Sequence, residues 1–284
     1  MTDLRAAALR WQAEQRPAVV LEVADTQGSV PREAGTRMLV SAGEVLGTVG
    51  GGHLELQAIT AAREILHASA VAAAAAVAAD GAAAGASRSA QRIALGPTLG
   101  QCCGGALTLR YTLLAASTPA DWPAPASRFT LQLYGAGHVG RAVVRLLAGL
   151  PCRVQWIDER ASEFPPEALP SHIHKLCVEP VQAEVAQATP GAFYLVLTHS
   201  HDLDLAITQA ILARGDFAWF GLIGSRTKRA RFEHRLRERG FDAALVQRIT
   251  CPIGLPGIEG KEPEVIALAV VAQMLQVGPR ASSA

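Results

Sequence analysis

The chain has 284 residues, of which 50% are apolar and 18% charged, enough to bury a sizeable core in one large or two modest domains. Its formal net charge of +1 provides no general attraction to nucleic acid or to an anionic membrane. Aromatic residues make up only 5%, so platforms for stacking bases are not expected. These totals argue against a nucleic-acid-binding or membrane-surface protein.

The amino terminus and the cysteine content favour a reducing cytoplasm. No apolar core of a signal peptide follows the charged residues Asp3, Arg5 and Arg10. The alanine-rich stretch 68–79 is uncharged but shorter than the ~20 residues of a membrane span. Five cysteines, an odd number, do not indicate a disulfide framework. We therefore expect a cytoplasmic protein that does not enter a membrane.

Three regions differ in the texture of their sequence. Residues 1–115 alternate short apolar runs with glycine-rich turns, and residues 129–284 alternate strand-like runs with helical patterns. Between them, residues 116–128 contain three prolines and no apolar periodicity, which is typical of a linker. The alternation in the last region is typical of a parallel sheet, so the sequence predicts an α/β protein of two domains.

The first region is predicted to contain strands and one long helix. Apolar runs at 18–23 and 38–40 predict strands, and the polar segment 28–36 between them predicts a loop. A helix is predicted from about His53 into the alanine-rich stretch, and 106–114 predicts a closing strand.

The last region is predicted to form a Rossmann-like nucleotide-binding domain. Its predicted strands span residues 129–134, 153–158, 173–178, 193–198 and 217–223. Its predicted helices span residues 139–148, 203–214 and 228–239, and a final helix is predicted to begin near Pro263, since proline suits the first helical position.

A dinucleotide-binding fingerprint follows the first of these strands. Gly135, Gly137 and Gly140 form G-x-G-x-x-G between a predicted strand and a predicted helix, and the next strand ends in Asp158, 23 positions after Gly135. Such glycines permit a tight turn, the approach of a pyrophosphate and close packing of the helix. An acid at this distance is the expected partner of a ribose 2′-hydroxyl. The alternative is a tight turn of a Rossmann-like scaffold that binds no nucleotide.

Two further loops are predicted at the same edge of the sheet. Ser225, Arg226 and Lys228 stand at a Gly-Ser turn where a basic helix begins, which suits a phosphate, although an exposed basic helix end explains them equally well. His199 and His201 lie in the loop 198–202, where they suit a metal or simply line a cleft beside a capping Ser200.

The first region has two glycine-rich motifs of its own. Gly50, Gly51 and Gly52 precede a predicted helix, where their N–H groups suit an anion, although a strained turn is the simpler interpretation. Cys102 and Cys103 are adjacent and followed by two glycines. Accessible thiolates there would bind a soft metal centre or carry sulfur, whereas most cysteines are inert and buried.

Taken together, the motifs resemble the XdhC family, the xanthine dehydrogenase accessory proteins of XdhC/CoxI type. Seven motifs in one order carry the resemblance over nearly the whole chain. They are GSVPREAGTRMLV at 28–40, GTVGGGHLE at 47–55, GQCCGG at 100–105, LYGAGHVG at 133–140, THSHDLD at 198–204, GLIGSRTK at 221–228 and CPIGLPGIEGKEPEVIAL at 251–268. One departure is Glu262 before Pro263, where the family's pattern leads us to expect a threonine or serine cap.

The resemblance implies an XdhC/CoxI-type domain followed by a Rossmann domain, in a homodimer that is an accessory chaperone and not an enzyme. Such a protein binds and protects the molybdenum cofactor (molybdopterin), received from a cofactor donor, and supports its sulfuration with a cysteine desulfurase. It then helps to deliver the cofactor to the molybdenum-binding subunit of apo xanthine dehydrogenase or a related hydroxylase. On this view Cys102 and Cys103 are the expected contacts to molybdenum.

Two other functions remain compatible with the residues. An NAD-dependent oxidoreductase would use the fingerprint and Asp158, with His199 or His201 as acid or base. No matched catalytic constellation is evident in the sequence, however, and a fold does not fix a function. The second alternative is a nucleotide sensor without catalysis that regulates a partner.

Overall fold

A computed structural model describes residues 3–78, 89–96, 104–123 and 127–277. The chain divides into two compact units, one from Thr2 to Ala124 and one from Pro125 to Ala284. This division falls inside the segment 116–128 that the sequence predicts as a linker. None of the described helices combines the length and the apolar character needed to cross a bilayer.

The first unit is an antiparallel sheet with two helices. The strands are β1 (Ala18–Gln27), β2 (Arg37–Ser41), β3 (Val45–Gly47), β4 (Ser89–Ala94) and β5 (Ala106–Leu113), and the helices are α1 (Leu4–Ala13) and α2 (Gly52–Ala78). The strands lie in the order β3-β2-β1-β5-β4, and every neighbouring pair is antiparallel.

Alternate residues of β1 point to opposite faces of this sheet, and each face has its own core. Leu21 packs in the cluster that contains Leu54 and Ala58 of α2, whereas Val20 packs with Trp11 of α1. All five side chains are at most 4% exposed. Each large apolar side chain buried in this way stabilises the unit by roughly 1.5–3 kcal/mol.

Part of the predicted linker packs against the first unit. Pro119 is buried, and Arg5 of α1 donates a hydrogen bond to the carbonyl oxygen of Ala120. The guanidinium of Arg37 lies 5.1 Å from the ring centroid of Trp122. Residues 117–123 therefore belong to the folded surface of this unit. They lack apolar periodicity because they form irregular surface structure that packs on the unit.

The second unit is an open parallel sheet with helices on both faces. Its strands are β6 (Thr130–Tyr134), β7 (Arg153–Asp158), β8 (Ile173–Cys177), β9 (Phe193–Val196), β10 (Trp219–Leu222) and β11 (Ile249–Thr250). Its helices are α3 (His138–Leu147), α4 (His201–Arg214), α5 (Arg226–Glu238), α6 (Ala243–Gln247) and α7 (Pro263–Val277). The predicted α/β class, with a Rossmann-like parallel sheet in the C-terminal region, is confirmed.

The strand order of this sheet is β11-β10-β9-β6-β7-β8, and all its pairs are parallel. One core cluster joins the sheet to α3 and α7, and another joins it to α4, α5 and α6. All four residues of β9 and of β10 are buried, as expected for strands covered on both faces. The chain runs outward from β6 through β7 to β8 and then returns to β9. The carboxyl ends of β6 and β9 therefore flank the topological switch point, where ligands of such sheets bind.

Candidate functional site

The glycine fingerprint forms the turn between β6 and α3, and two of its glycines are required by packing. Gly135 has φ +118°, a conformation that favours glycine, and a Cβ there would collide with the carbonyl oxygen of Leu197. A Cβ on Gly140 would collide with the carbonyl oxygen of Gly135. These two glycines let α3 approach the strands closely, so they reveal nothing by themselves about a ligand.

Gly137 differs, because nothing in its surroundings requires glycine. Its φ is −68°, and a Cβ at this position would meet no atom within 4 Å. Gly137 is the N-cap of α3 and provides no side-chain hydrogen bond, whereas Ser200 and Ser225 cap α4 and α5 with their hydroxyl groups. The N-terminus of α3 thus has no side-chain cap and has open space beside Gly137, an arrangement that suits a phosphate.

Asp158, predicted to accept a hydrogen bond from a ribose, is buried and bonded within the chain. Its carboxylate accepts a hydrogen bond from the N–H of Ala136 at 2.7 Å and three from the backbone and guanidinium of Arg160 at 2.9–3.0 Å. Burial alone would raise the pKa of Asp158, but the hydrogen bonds from Arg160 and Ala136 outweigh it and hold the pKa below its ordinary value. Four hydrogen bonds use the lone pairs of a carboxylate, so a ribose hydroxyl would have to displace Arg160.

Two openings lie along the carboxyl ends of the strands. The crevice at Gly135 and Asp158 has no room for a water molecule. Beside it lies a cavity of about 710 Å³, and Thr198 and His199 contribute to the walls of both. We call this larger space the α4–α5 cavity. Its remaining lining residues are His201, Asp202, Ile223, Gly224, Ser225, Thr227, Lys228, Arg231, Phe232, His234 and Arg235.

A buried ion pair that the sequence did not reveal supports the wall of this cavity. The Nζ of Lys228 lies 2.5 Å from a carboxylate oxygen of Asp204, and it also donates a hydrogen bond to the carbonyl oxygen of Ile223. The side chains of Lys228 and Asp204 are only 10% and 1% exposed. The other carboxylate oxygen of Asp204 accepts hydrogen bonds from the N–H and hydroxyl of Thr198. The charge of Lys228 is thus neutralised within the protein.

The predicted phosphate residues lie at the start of α5. The Ser225 hydroxyl accepts a hydrogen bond from the N–H of Lys228, so its capping role is established by the geometry. Arg226 is exposed. The structure brings Ser225 to the α4–α5 cavity, while Arg226 does not line it.

The histidines of the loop after β9 do not form a metal centre with other ligands. His199 lies 3.7 Å from Glu159, and His201 lines the α4–α5 cavity. Across the described parts of the chain, no three His, Cys, Asp or Glu side chains are arranged to hold a metal ion. Cys102 and Cys103 lie outside the described residues, so their predicted role stays a prediction.

The glycine turn of the first unit binds a carboxylate of its own helix. Gly50, Gly51 and Gly52 have φ of +138°, +75° and +60°. The carboxylate of Glu55 accepts hydrogen bonds from the hydroxyl of Thr48 and, at 3.1 Å, from the N–H groups of Val49 and Gly51. The N–H of Gly50 donates to the Thr48 hydroxyl. The predicted anion site therefore has two of its glycine N–H groups already bonded inside the protein.

The loop after β1 lies against parts of two other motifs of the first unit. A Cβ on Gly50 would lie 2.5 Å from the ring of Pro31, and the N–H of Gly105 donates to the carbonyl oxygen of Ser29 at 3.1 Å. The loop after β1 therefore contacts both the turn before α2 and the strand entry at Gly105. Packing alone explains why Gly50 and Gly105 are glycine, because a Cβ on Gly105 would collide with the carbonyl oxygens of Gln27 and Ser29.

Each of the two units matches a known protein family. A model described as the XdhC Rossmann domain matches residues 131–274, half of the chain, and one described as the XdhC and CoxI family matches residues 11–72. The chain belongs to the XdhC family. The two matches fall in the second and first units respectively.

Two individual relatives extend the comparison. The chain is 29% identical over 275 residues to an Escherichia coli K12 protein described as uncharacterized protein YqeB. The match covers 95% of this chain but 45% of that protein, so the chain spans about half of that relative's length. A crystal structure described as a xanthine dehydrogenase from Bacillus halodurans matches with a TM-score of 0.71 and 17% identity, over 100% of this chain and 98% of the other. This likeness shows a shared fold.

Proposed function

We propose that this XdhC-family protein is an accessory chaperone that binds the molybdenum cofactor transiently and supports its sulfuration by a cysteine desulfurase. It receives the cofactor from a donor protein and, as a homodimer, delivers it to the apo form of xanthine dehydrogenase or a related molybdenum hydroxylase. The observation that carries the proposal is the open N-terminus of α3 at Gly137, in a chain whose family is XdhC.

The proposed cofactor carries both a phosphate and a soft metal, and each unit contributes residue types suited to one of them. The uncapped N–H groups of α3 and the empty space at Gly137 would hold a phosphate. Thiolates of Cys102 and Cys103 would contact the molybdenum, since soft sulfur ligands suit such a centre. When bound in its client, the cofactor supplies the metal centre at which that enzyme works. The role of this chain is to bind the cofactor and to shield it.

The engagement of Asp158 weighs against the alternative of an NAD-dependent oxidoreductase. In that class the acid at the end of the second strand accepts a hydrogen bond from the ribose. Here its carboxylate already accepts four hydrogen bonds within the chain. An oxidoreductase would need a rearrangement of Arg160, and a nucleotide sensor with the same mode of binding would need it too.

Retention of molybdenum tests the proposal. The full chain is mixed with molybdenum cofactor under anaerobic conditions and passed through a gel-filtration column, and the metal in the protein peak is quantified. Cys102→Ala and Cys103→Ala are compared with wild type, and Cys177→Ala is the matched control. Cys177 is an exposed thiol on β8, so the control removes the same group elsewhere.

We expect stoichiometric molybdenum in wild type and in the control, with loss in at least one of the other two variants. Wild-type protein that retains no molybdenum but binds NAD would contradict the proposal and favour the oxidoreductase or sensor. Equal loss in the Cys177 control would show that the assay reports non-specific thiol chemistry, which also contradicts the assigned contact.

A further inference from the structure

The face of α5 that lines the α4–α5 cavity has a polar stripe at helical spacing. Thr227, Arg231, His234 and Arg235 follow the i, i+4, i+7 and i+8 positions and all line the cavity. The apolar residues of the same helix, Phe232 and Leu236, are buried in the core of the unit. Burial in the core therefore does not account for the polar stripe.

Most of the charges around this cavity are paired within the chain. Lys228 is bonded to Asp204, and Arg235 lies 3.6 Å from Asp202. At the rim, His199 lies 3.7 Å from Glu159 and His234 lies 3.2 Å from Glu238. These acidic partners account for each of the basic groups named so far.

Arg231 is the exception among the charged lining residues. Within the described part of the chain, its guanidinium has neither an ion pair nor a hydrogen bond, and neither does the side chain of His201 or Thr227. Arginine offers a planar fork of donors that matches phosphate, a threonine hydroxyl is a donor, and imidazole can donate in either protonation state. These groups face a cavity of about 710 Å³, which lies within the usual size range of ligand sites.

We infer that the α4–α5 cavity binds a phosphate-bearing part of the ligand, with Arg231 as its principal contact and Thr227 and His201 as further donors. Thr198 and His199 also form part of the wall of the crevice at the fingerprint, so the cavity lies directly beside the fingerprint turn. The inference rests on the proposed function insofar as that ligand is the molybdenum cofactor. The phosphate belongs either to the pterin part or to an attached nucleotide.

Binding of inorganic pyrophosphate to the full chain, measured by titration calorimetry at fixed ionic strength, tests the inference. Arg231→Gln is compared with Arg237→Gln, a matched control. Arg237 is on the same helix and 52% exposed, and it does not line the cavity. Thr227→Ala is a second variant that leaves the charge unchanged. Competition by cytidine diphosphate and by nucleotide-free molybdenum cofactor then distinguishes a nucleotide phosphate from the pterin phosphate.

We expect Arg231→Gln to weaken pyrophosphate binding by about tenfold or more, as removal of a charge-assisted contact does, and Thr227→Ala to weaken it less. Arg237→Gln should bind like wild type. Equal affinity of Arg231→Gln and wild type, equal loss in the Arg237 control, or absence of binding to wild type would each overturn the inference. Molybdenum retention by the same proteins decides the proposed function separately, because wild type can retain molybdenum whatever the pyrophosphate result.

Discussion

Each unit carries a glycine-rich turn before a helix, but the two turns use their N–H groups differently. In the first unit, Glu55 of α2 folds back onto the turn and accepts hydrogen bonds from Val49 and Gly51. In the second unit, Asp158 accepts a hydrogen bond from one N–H of the turn, that of Ala136, and the N-terminus of α3 at Gly137 has no side-chain cap. One turn is closed by its own carboxylate, and the other is open.

The comparison shows that glycine content alone does not identify an anion site. Gly50 is next to Pro31 and Gly140 is next to the Gly135 carbonyl, so both are glycine for reasons of space. A Cβ on Gly137 would meet no atom within 4 Å, so packing does not require glycine there. The informative glycine is therefore the one whose absent side chain leaves room for a ligand.

Substitution of the packing glycine should have the largest effect. Gly140→Ala places a Cβ against the Gly135 carbonyl and should destabilise the second unit by about 3 kcal/mol, whereas Gly137→Ala should change stability by no more than about 0.5 kcal/mol. Hydrogen exchange of amides in β6 and β7 measures both. Equal loss of protection in the two variants would remove the distinction between packing and open glycines.

Removal of the carboxylate that closes the first turn should have an intermediate effect. Glu55→Ala leaves the N–H groups of Val49 and Gly51 without their acceptor and should destabilise the first unit by about 2 kcal/mol. Glu64→Ala, an exposed glutamate of the same helix, is the control and should be nearly neutral. Thermal unfolding compares the variants. If both behave alike, Glu55 does not close the turn.

The contribution of Asp158 should depend on pH. Because its pKa in the folded protein is held below the ordinary value, its stabilisation is fully present above about pH 4 and is lost as the pH falls through the folded pKa. The difference in unfolding free energy between wild type and Asp158→Asn should therefore be constant near neutral pH and shrink in acid. Urea unfolding at a series of pH values measures it. A difference that stays unchanged in acid would show that the carboxylate is not held ionised by Arg160 and Ala136.

The architecture of the second unit follows from its sequence because the signals are local. Strands such as β9 are buried on both faces and read as continuous apolar runs, and the fingerprint marks the turn after β6. The first unit is less predictable. Its sequence does not predict α1, β3 or β4. Helix α1 buries only three residues, β3 is three residues long, and β4 has the mixed sequence SAQRIA.

The sequence does not show which side chains of the site are already bonded within the chain, because these pairings join residues that are distant in sequence. The sequence predicts Lys228 as a phosphate ligand at a helix start. In the structure it pairs with Asp204, which lies 24 residues earlier. The sequence likewise predicts Asp158 as a ribose ligand, but in the folded protein its carboxylate accepts hydrogen bonds from Arg160 and Ala136. At Ser200 and Ser225, by contrast, capping depends on neighbours three residues away and is visible in the sequence.

The most direct test of the central claim is the affinity of wild type and Gly137→Ala for the molybdenum cofactor, measured as molybdenum retained after anaerobic gel filtration. We predict stoichiometric retention by wild type and a loss of about tenfold or more in affinity for the variant, since even a methyl group there prevents the backbone from approaching a phosphate. Because the variant should fold normally, such a loss would place the ligand at the open turn. Equal retention by the two proteins, or none by wild type, would contradict the account.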